Sequence, residues 1–307
     1  MPIEQFVQSL ADPQVEVPIS EFIEASDLSP AELGSFAKTW FTIPPERQRW
    51  IISTMVELAE DNPELDFCAV FKMCLKERDE SVLAKAIEGL WEYEDRSVIP
   101  SLLDILHSEL SEEVRAVAAV ALGKFSVMIQ EGKFLQRDAD AILENLMSIV
   151  INEDEPLDVR RRSLEAVAPF NTEEIKKYVT WAYHSNNVKL RSSSIFAMGR
   201  TGETSWLPIL IKELQHKEPT VRFETANACG ELGEEEVVPH LIALLQDDDY
   251  QVQLAGLNAL GKVGGPLAKR ALLRCAKEGD AVLEEAVRSA LEEVEFLEDP
   301  MAFGSDT

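Results

Sequence analysis

The sequence predicts an all-α fold, an α-solenoid of about eight stacked helical hairpins, and three observations predict it. Apolar residues recur at a fixed interval of 31 positions through Val159, Leu190, Val221, Val252 and Leu283. Within each copy, small and apolar residues stand at p, p+4, p+7 and p+8, where p is that leading residue, so they share one face of a helix. Residues that start and stop helices punctuate the copies at the same period. A chain of 307 residues suits either two globular domains or one elongated array, and the period selects the array.

From the N-terminus, residues 1–29 mix prolines and acidic residues with short apolar pieces such as Phe22-Ile23, which reads as a cap on the array. Trp40, Phe41 and Trp50 are expected to close the core at that end. Counting back 31 positions from Val82 reaches Ile51, with Met55 and Leu58 in the expected slots. Val82 to Val114 is an interval of 32, and Val114 to Val159 one of 45. The longer interval holds an insertion at 124–138, expected to form a longer loop or a short extra helix. The clearest copies are Val114-Arg115 with Ala118, Ala121, Leu122 and Gly123, and Leu190-Arg191 with Ser194, Ala197, Met198 and Gly199. Val221-Arg222 with Thr225, Ala228, Cys229 and Gly230, and Val252-Gln253 with Gly256, Ala259, Leu260 and Gly261, repeat the pattern. The copy at Val159 departs from it, with Pro156 in place of the cap and Ala168-Pro169 in place of the glycine, so a helix break is expected there.

One amphipathic helix cannot enclose its own stripe, so each copy needs a first helix before p. Ile99–Leu106, Leu207–Leu214, Val238–Leu245 and Leu267–Ala276 supply it, with Pro100, Pro208, Pro239 and Pro266 marking the starts. Three positions before p stand Asp79, Ser111, Asn187, Asp249 and Asp280, whose side chains suit the orphan N–H groups of a helix start. Gly202, Gly233 and Gly264 suit the left-handed turn that ends a helix. Residues 298–307 read as a flexible tail, Met301-Ala302-Phe303 included.

These residues resemble the HEAT-repeat family, in the short bacterial type also seen in phycobilisome-lyase-like repeats, with its Asp-x-x-Val-Arg-x-x-Ala-x-x-Ala-Leu-Gly pattern. The resemblance covers residues 30–297 and implies a superhelix whose second helices line a concave surface. It also implies that the p+1 arginines, Arg115, Arg160, Arg191 and Arg222, pair with the acidic or amide cap of a neighbouring turn instead of forming a ligand ladder. On the expected concave surface, p+2 and p+6 point away from the buried stripe. Phe196, Phe223 and Leu254, with Asn227, Asn258 and Arg161 around them, form the expected groove for a partner protein. The plainer alternative is that these side chains fill gaps between stacked repeats.

The sequence carries 29 basic and 56 acidic side chains, a formal net charge of −27. Such a field repels phosphate backbones and anionic lipid, so neither nucleic acid nor membrane is an expected partner; the short stripe Arg160, Arg161 and Arg162 is the one local exception. The acidity reads first as solubility and second as recruitment of a basic protein. No stretch reaches the ~18 apolar residues of a membrane span, and Met1–Leu10 lacks the features of a secretory signal, so a cytoplasmic monomer is expected. Cys68, Cys74, Cys229 and Cys275 form no Cys-x-x-Cys pair, and Cys229 occupies a buried repeat slot. Glu231 and Glu234 to Glu236, with Asp247 to Asp249, read as solvated inter-helix loop acids and not as a calcium loop.

His107, His184, His216 and His240 are scattered without nucleophile partners, so neither a catalytic residue nor a metal site is expected. No His-Glu dipeptide occurs, which sets aside the dinuclear-iron hydroxylases built on HEAT repeats. A HEAT-like DNA glycosylase would need a cationic groove. The expected function is therefore a non-enzymatic scaffold or adaptor without a cofactor. The alternative is a phycobilin-lyase-like protein that handles a tetrapyrrole, whose propionates would fall to Arg161, Arg162 and Arg191.

Overall fold

Short-period apolar patterning and proline or capped starts turn most of the described residues into helix. The computed structural model describes residues 3–12, 14–278 and 282–299, and no strand occurs among them. The helices form two compact units, Met1–Ala166 and Val167–Thr307. No helix among the described residues is long and apolar enough to cross a membrane.

The first unit contains α1 (Ile3–Ala11), α2 (Pro30–Trp40), α3 (Pro45–Asp61), α4 (Cys68–Cys74), α5 (Glu80–Gly89), α6 (Ile99–Leu106), α7 (Glu112–Gln130), α8 (Gln136–Ile151) and α9 (Leu157–Val167). Its second helices stack in the order α3, α5, α7, and the first helices α4 and α6 pack outside them. At the N-terminal end Phe6, Phe22 and Trp50 meet edge to face, with ring centroids 5.7 and 5.6 Å apart, and the Arg47 guanidinium lies 4.1 Å over Trp50. Trp40 is buried and donates to Glu77 Oε1 at 2.7 Å. Phe41 does not join this core; it is 66% exposed, because it caps the C-terminus of α2 and turns outward.

The second unit contains α10 (Glu173–Tyr183), α11 (Val188–Arg200), α12 (Leu207–Glu213), α13 (Pro219–Leu232), α14 (Val238–Leu244), α15 (Tyr250–Val263), α16 (Gly265–Glu278) and α17 (Glu284–Glu298). Here α11, α13, α15 and α17 stack one on the next, and α10, α12, α14 and α16 are their first-helix partners. The break expected after Val159 is present as a 3-10 turn at Ala168–Phe170 followed by left-handed Asn171, φ 50°.

The glycine closing each Ala-Leu-Gly triplet is there for close approach. A Cβ added at Gly199 would meet the Cα of Ala228 at 2.7 Å, and one at Gly230 or Gly261 would meet the Cα of Ala259 or Ala290 at 3.0 Å. Gly123 bears the same relation to Ala166 inside the first unit, at 3.1 Å. The p+9 glycine of one repeat thus receives the p+7 alanine of the next, which fixes the stacking distance. Gly202, Gly233 and Gly264 are the chain-reversing glycines, each at φ 68°.

Asp79, Asn187 and Asp249 cap α5, α11 and α15 through their side chains. Ser111 makes no such bond; its own N–H donates to Glu80 Oε2 at 3.2 Å. Asp280 lies outside the described residues, as do 300–307 with the Met301-Ala302-Phe303 segment. The last helix runs through Glu298, one residue into the segment read as a tail. The insertion at 124–138 extends α7 to Gln130 and supplies the start of α8 from Gln136, leaving a short connection instead of a long loop.

The p+1 column does more than pair with acids. Arg115 donates to Leu106 O at 2.8 Å, Arg160 to Val150 O at 3.1 Å, Arg222 to His216 O at 2.7 Å, and Gln253 to Asp247 O at 2.6 Å. Each of these side chains satisfies a carbonyl at, or within three residues beyond, the end of its own repeat's first helix, where the arginines also suit the helix dipole. The acid pairs of Arg115 with Glu155 at 2.6 Å and Arg222 with Asp247 at 2.7 Å are added to that role.

Candidate functional site

In the second unit the p+2, p+6 and p+10 positions of α11, α13 and α15 form three rows across the stack. The first holds Phe223 and Leu254 and the second Phe196, Asn227 and Asn258. Asn258 is exposed and the other four are half-buried. The third row is charged and alternates in sign. Arg200 reaches Glu231 at 3.3 Å, and Lys262 reaches the same carboxylate at 2.5 Å. Burial works to raise the Glu231 carboxyl, yet the Lys262 and Arg200 contacts outweigh it and hold the group below its ordinary value. Glu231 is therefore a helical ladder residue and not the loop acid expected from sequence. Arg200 also lies 5.5 Å over the ring of Phe196, tying the charged row to the apolar one.

Arg161, the sixth expected groove residue, belongs to the first unit. It pairs with Asp158 and lies 3.6 Å from Glu165, while Arg162 binds Glu165 at 2.7 Å. Two of the three arginines of the short basic stripe are thus paired with acids of their own helix, and Arg160 donates to the Val150 carbonyl. Arg161 and Arg162 line a cleft along α7 and α9 with Glu88, Glu113, Val117 and Val120.

One polar cluster had no place in the sequence reading. Tyr183 at the end of α10 donates to Glu213 Oε1 at 2.7 Å, and Glu213 is only 3% exposed. The Arg191 guanidinium lies 5.1 Å over the Tyr183 ring, and its Nη1 is 3.5 Å from His216 Nε2. Burial first, then Glu213, pushes the Tyr183 phenol up to about 12. Glu213 Oε2 and Arg191 Nε have no hydrogen-bond partner. The signal was available, because Glu213 stands 31 positions before Leu244, a carboxylate in a slot that is apolar one repeat later. No group of three or more His, Cys, Asp or Glu residues arranged to hold a metal ion occurs among the described residues.

Stacked helical hairpins with a repeating close-approach glycine define an α-solenoid, a helical-repeat protein. The profile of the family described as HEAT repeats matches residues 178–256 and 207–292. Residues 178–292, within the second unit, are thus HEAT repeats. Comparison with curated proteins gave no match. Among solved structures, human deoxyhypusine hydroxylase in complex with glycerol is 20% identical, with 95% of this chain and 97% of that one covered and a TM-score of 0.38. The complex of CpcE and CpcF of phycocyanin lyase from Nostoc sp. PCC7120 is 18% identical, with 77% and 97% covered and a TM-score of 0.48. Yeast importin-β (Kap95p) is 15% identical, with 95% and 41% covered and a TM-score of 0.44. At these scores the likeness says nothing about the site.

Proposed function

We propose that the protein is a non-catalytic scaffold that holds another protein against the face formed by α11, α13 and α15. The observation that carries this reading is the group of Phe196, Phe223 and Leu254 on two adjacent rows. These are large apolar side chains left half-buried on three consecutive helices, beside exposed Asn258 and an alternating charge ladder. A side chain that merely filled an inter-repeat gap would be covered by its neighbours; Val221 and Val252 in the same helices are fully buried. Covering the three remaining apolar surfaces would contribute on the order of a few kcal/mol, while the rim supplies orientation.

A photo-crosslinking residue at Asn258 tests the face in native extract, with Lys212 on the exposed side of α12 as the control position. The expected result is one discrete protein adduct from position 258 and none from 212, lost in a Phe223→Glu background whose thermal unfolding stays close to wild type. Adducts of equal yield at both positions, or one that survives Phe223→Glu, would refute the reading. Should Phe223→Glu unfold, Leu254→Asn serves in its place.

A further inference from the structure

The stacked second helices of the first unit carry a cleft of different character. Between α5 and α7 lies a cavity of about 280 Å³ floored by Ile87, Leu90, Leu102 and Phe125. Trp91 and Val120 stand at its rim, 59% and 38% exposed. Through Glu88, Val117 and Val120 it is continuous with the shallower cleft along α7 and α9. Exposed tryptophan beside exposed valine is an apolar surface still open to a partner.

The charges around it are one-sided. Lys124 donates to the carbonyls of Leu90, Trp91 and Tyr93 at 3.0, 2.7 and 2.6 Å, so all three ammonium hydrogens are used within the chain. Arg161 and Arg162 are held by Asp158 and Glu165, and Lys85 by Glu88 at 2.5 Å. Glu60 and Glu113 line the same clefts, are exposed, and form no salt bridge among the described residues. Every cation on this face is spent, and the carboxylates left over flank the apolar rim.

We infer that this cleft is a docking site for a cationic amphipathic helix of another protein, with its apolar side chains against Trp91 and Val120 and its Lys or Arg side chains on Glu60 and Glu113. The dimensions agree. From Glu60 on α3 to Arg162 on α9 the cleft crosses four stacked helices, and three spacings of roughly 8–10 Å give about 25–30 Å, the length of a helix of about 18 residues. A small organic cation would occupy one end only. This surface shares no residue with the group of Phe196, Phe223 and Leu254, and its occupant goes beyond the scaffold reading.

The test uses the full chain and an 18-residue synthetic peptide of leucine and lysine in amphipathic helical order, measured by calorimetry at physiological salt. Two control peptides have glutamate in place of lysine, or the same leucines and lysines in scrambled order. The amphipathic cationic peptide should bind, and both controls should bind at least tenfold more weakly. Trp91→Ala and the double change Glu60→Lys/Glu113→Lys should each weaken binding at least tenfold. All three positions are solvent-exposed, so the variants should melt like wild type; Trp91→Phe, which keeps an aromatic face, should retain most of the affinity. The equal charge change Glu235→Lys/Glu236→Lys, on the second unit, should alter affinity less than twofold. No binding, equal loss from the two double variants, or an unaffected Trp91→Ala would overturn the proposal. Loss in Phe223→Glu with none in Trp91→Ala would overturn it as well and leave the scaffold reading standing.

Discussion

Replacing Gly199 with alanine should destabilise the second unit, whereas the same change at Gly34 should stabilise the first. Both glycines sit inside helices without positive φ, so intrinsic helix propensity favours alanine at each by about 1 kcal/mol. At Gly34 nothing lies within 4 Å of the new Cβ, and that gain stands alone. At Gly199 the new Cβ falls 2.7 Å from Ala228 Cα, 3.0 Å from its Cβ and 3.2 Å from its carbonyl oxygen. The obstruction is main chain and cannot rotate away, so α11 and α13 must separate. Overpacking costs about 1–3 kcal/mol, and a backbone obstacle belongs near the upper end. Subtracting the propensity gain leaves a net loss of about 2 kcal/mol. Urea denaturation followed by far-ultraviolet circular dichroism, with hydrogen exchange of the α11 and α13 amides to localise the effect, reads both variants. A Gly199→Ala midpoint at or above wild type would refute the close-approach account of the whole p+9 column.

Asp247→Ala should cost about 2–3 kcal/mol in the same denaturation assay, because it strips Arg222, whose side chain is 15% exposed, of two hydrogen bonds of 2.7 Å. Those bonds hold the Asp247 carboxyl below its ordinary value, so its contribution is complete above the unfolded value near 3.9 and disappears as pH falls through the folded one. The stability difference between wild type and Asp247→Asn should therefore shrink only below about pH 4. Tyr183 has the opposite sign. With its phenol pushed up to about 12, stability should decline as pH rises beyond the unfolded value near 10, and Tyr183→Phe should remove that component of the slope. Cys229, fully buried and pushed up to about 12 by burial, should react with a thiol reagent only after unfolding. Finally, His216→Asp combined with Glu213→Leu should leave stability within about 1 kcal/mol of wild type, although Glu213→Leu alone should cost more.

What the sequence revealed was what repeats. Val159, Leu190, Val221 and Val252 are buried as their shared slot required, and Pro100, Pro208 and Pro239 open first helices. Periodicity reports the face a residue occupies, and burial follows from the face. What stayed hidden depends on distances between repeats. Nothing in the triplet Ala-Leu-Gly tells a glycine needed for φ from one needed for contact, and only the Gly199–Ala228 approach separates the two. The p+1 arginines were assigned to acids because charge is visible in a sequence; carbonyls such as Leu106 O and Val150 O belong to every residue and leave no trace. The cleft at Trp91 was missed for a related reason. Trp91 stands at p+9, where the four clearest copies have glycine, so the residue that opens the surface is one that breaks the pattern.

The Tyr183, Arg191, Glu213 and His216 cluster shows how far such breaks can imitate chemistry. Four polar side chains, one of them a buried carboxylate, would pass for a catalytic group if seen in isolation. Its repeat context gives a plainer origin. Arg191 and Arg222 are 31 positions apart, as are His216 and Asp247, so His216 occupies the slot from which Asp247 grips Arg222. Histidine there leaves Arg191 without its acid. A carboxylate stands instead at Glu213, one helical turn upstream, where the next repeat has Leu244. It is linked to the arginine through Tyr183, whose hydroxyl it accepts and whose ring the guanidinium covers. The repeat thus keeps one cation and one anion but moves the anion by a turn and inserts an aromatic ring between them. The unpartnered Arg191 Nε and Glu213 Oε2 are the atoms that pair directly in the regular arrangement of Arg222 with Asp247. A displaced structural ion pair accounts for all four residues, and it requires no substrate.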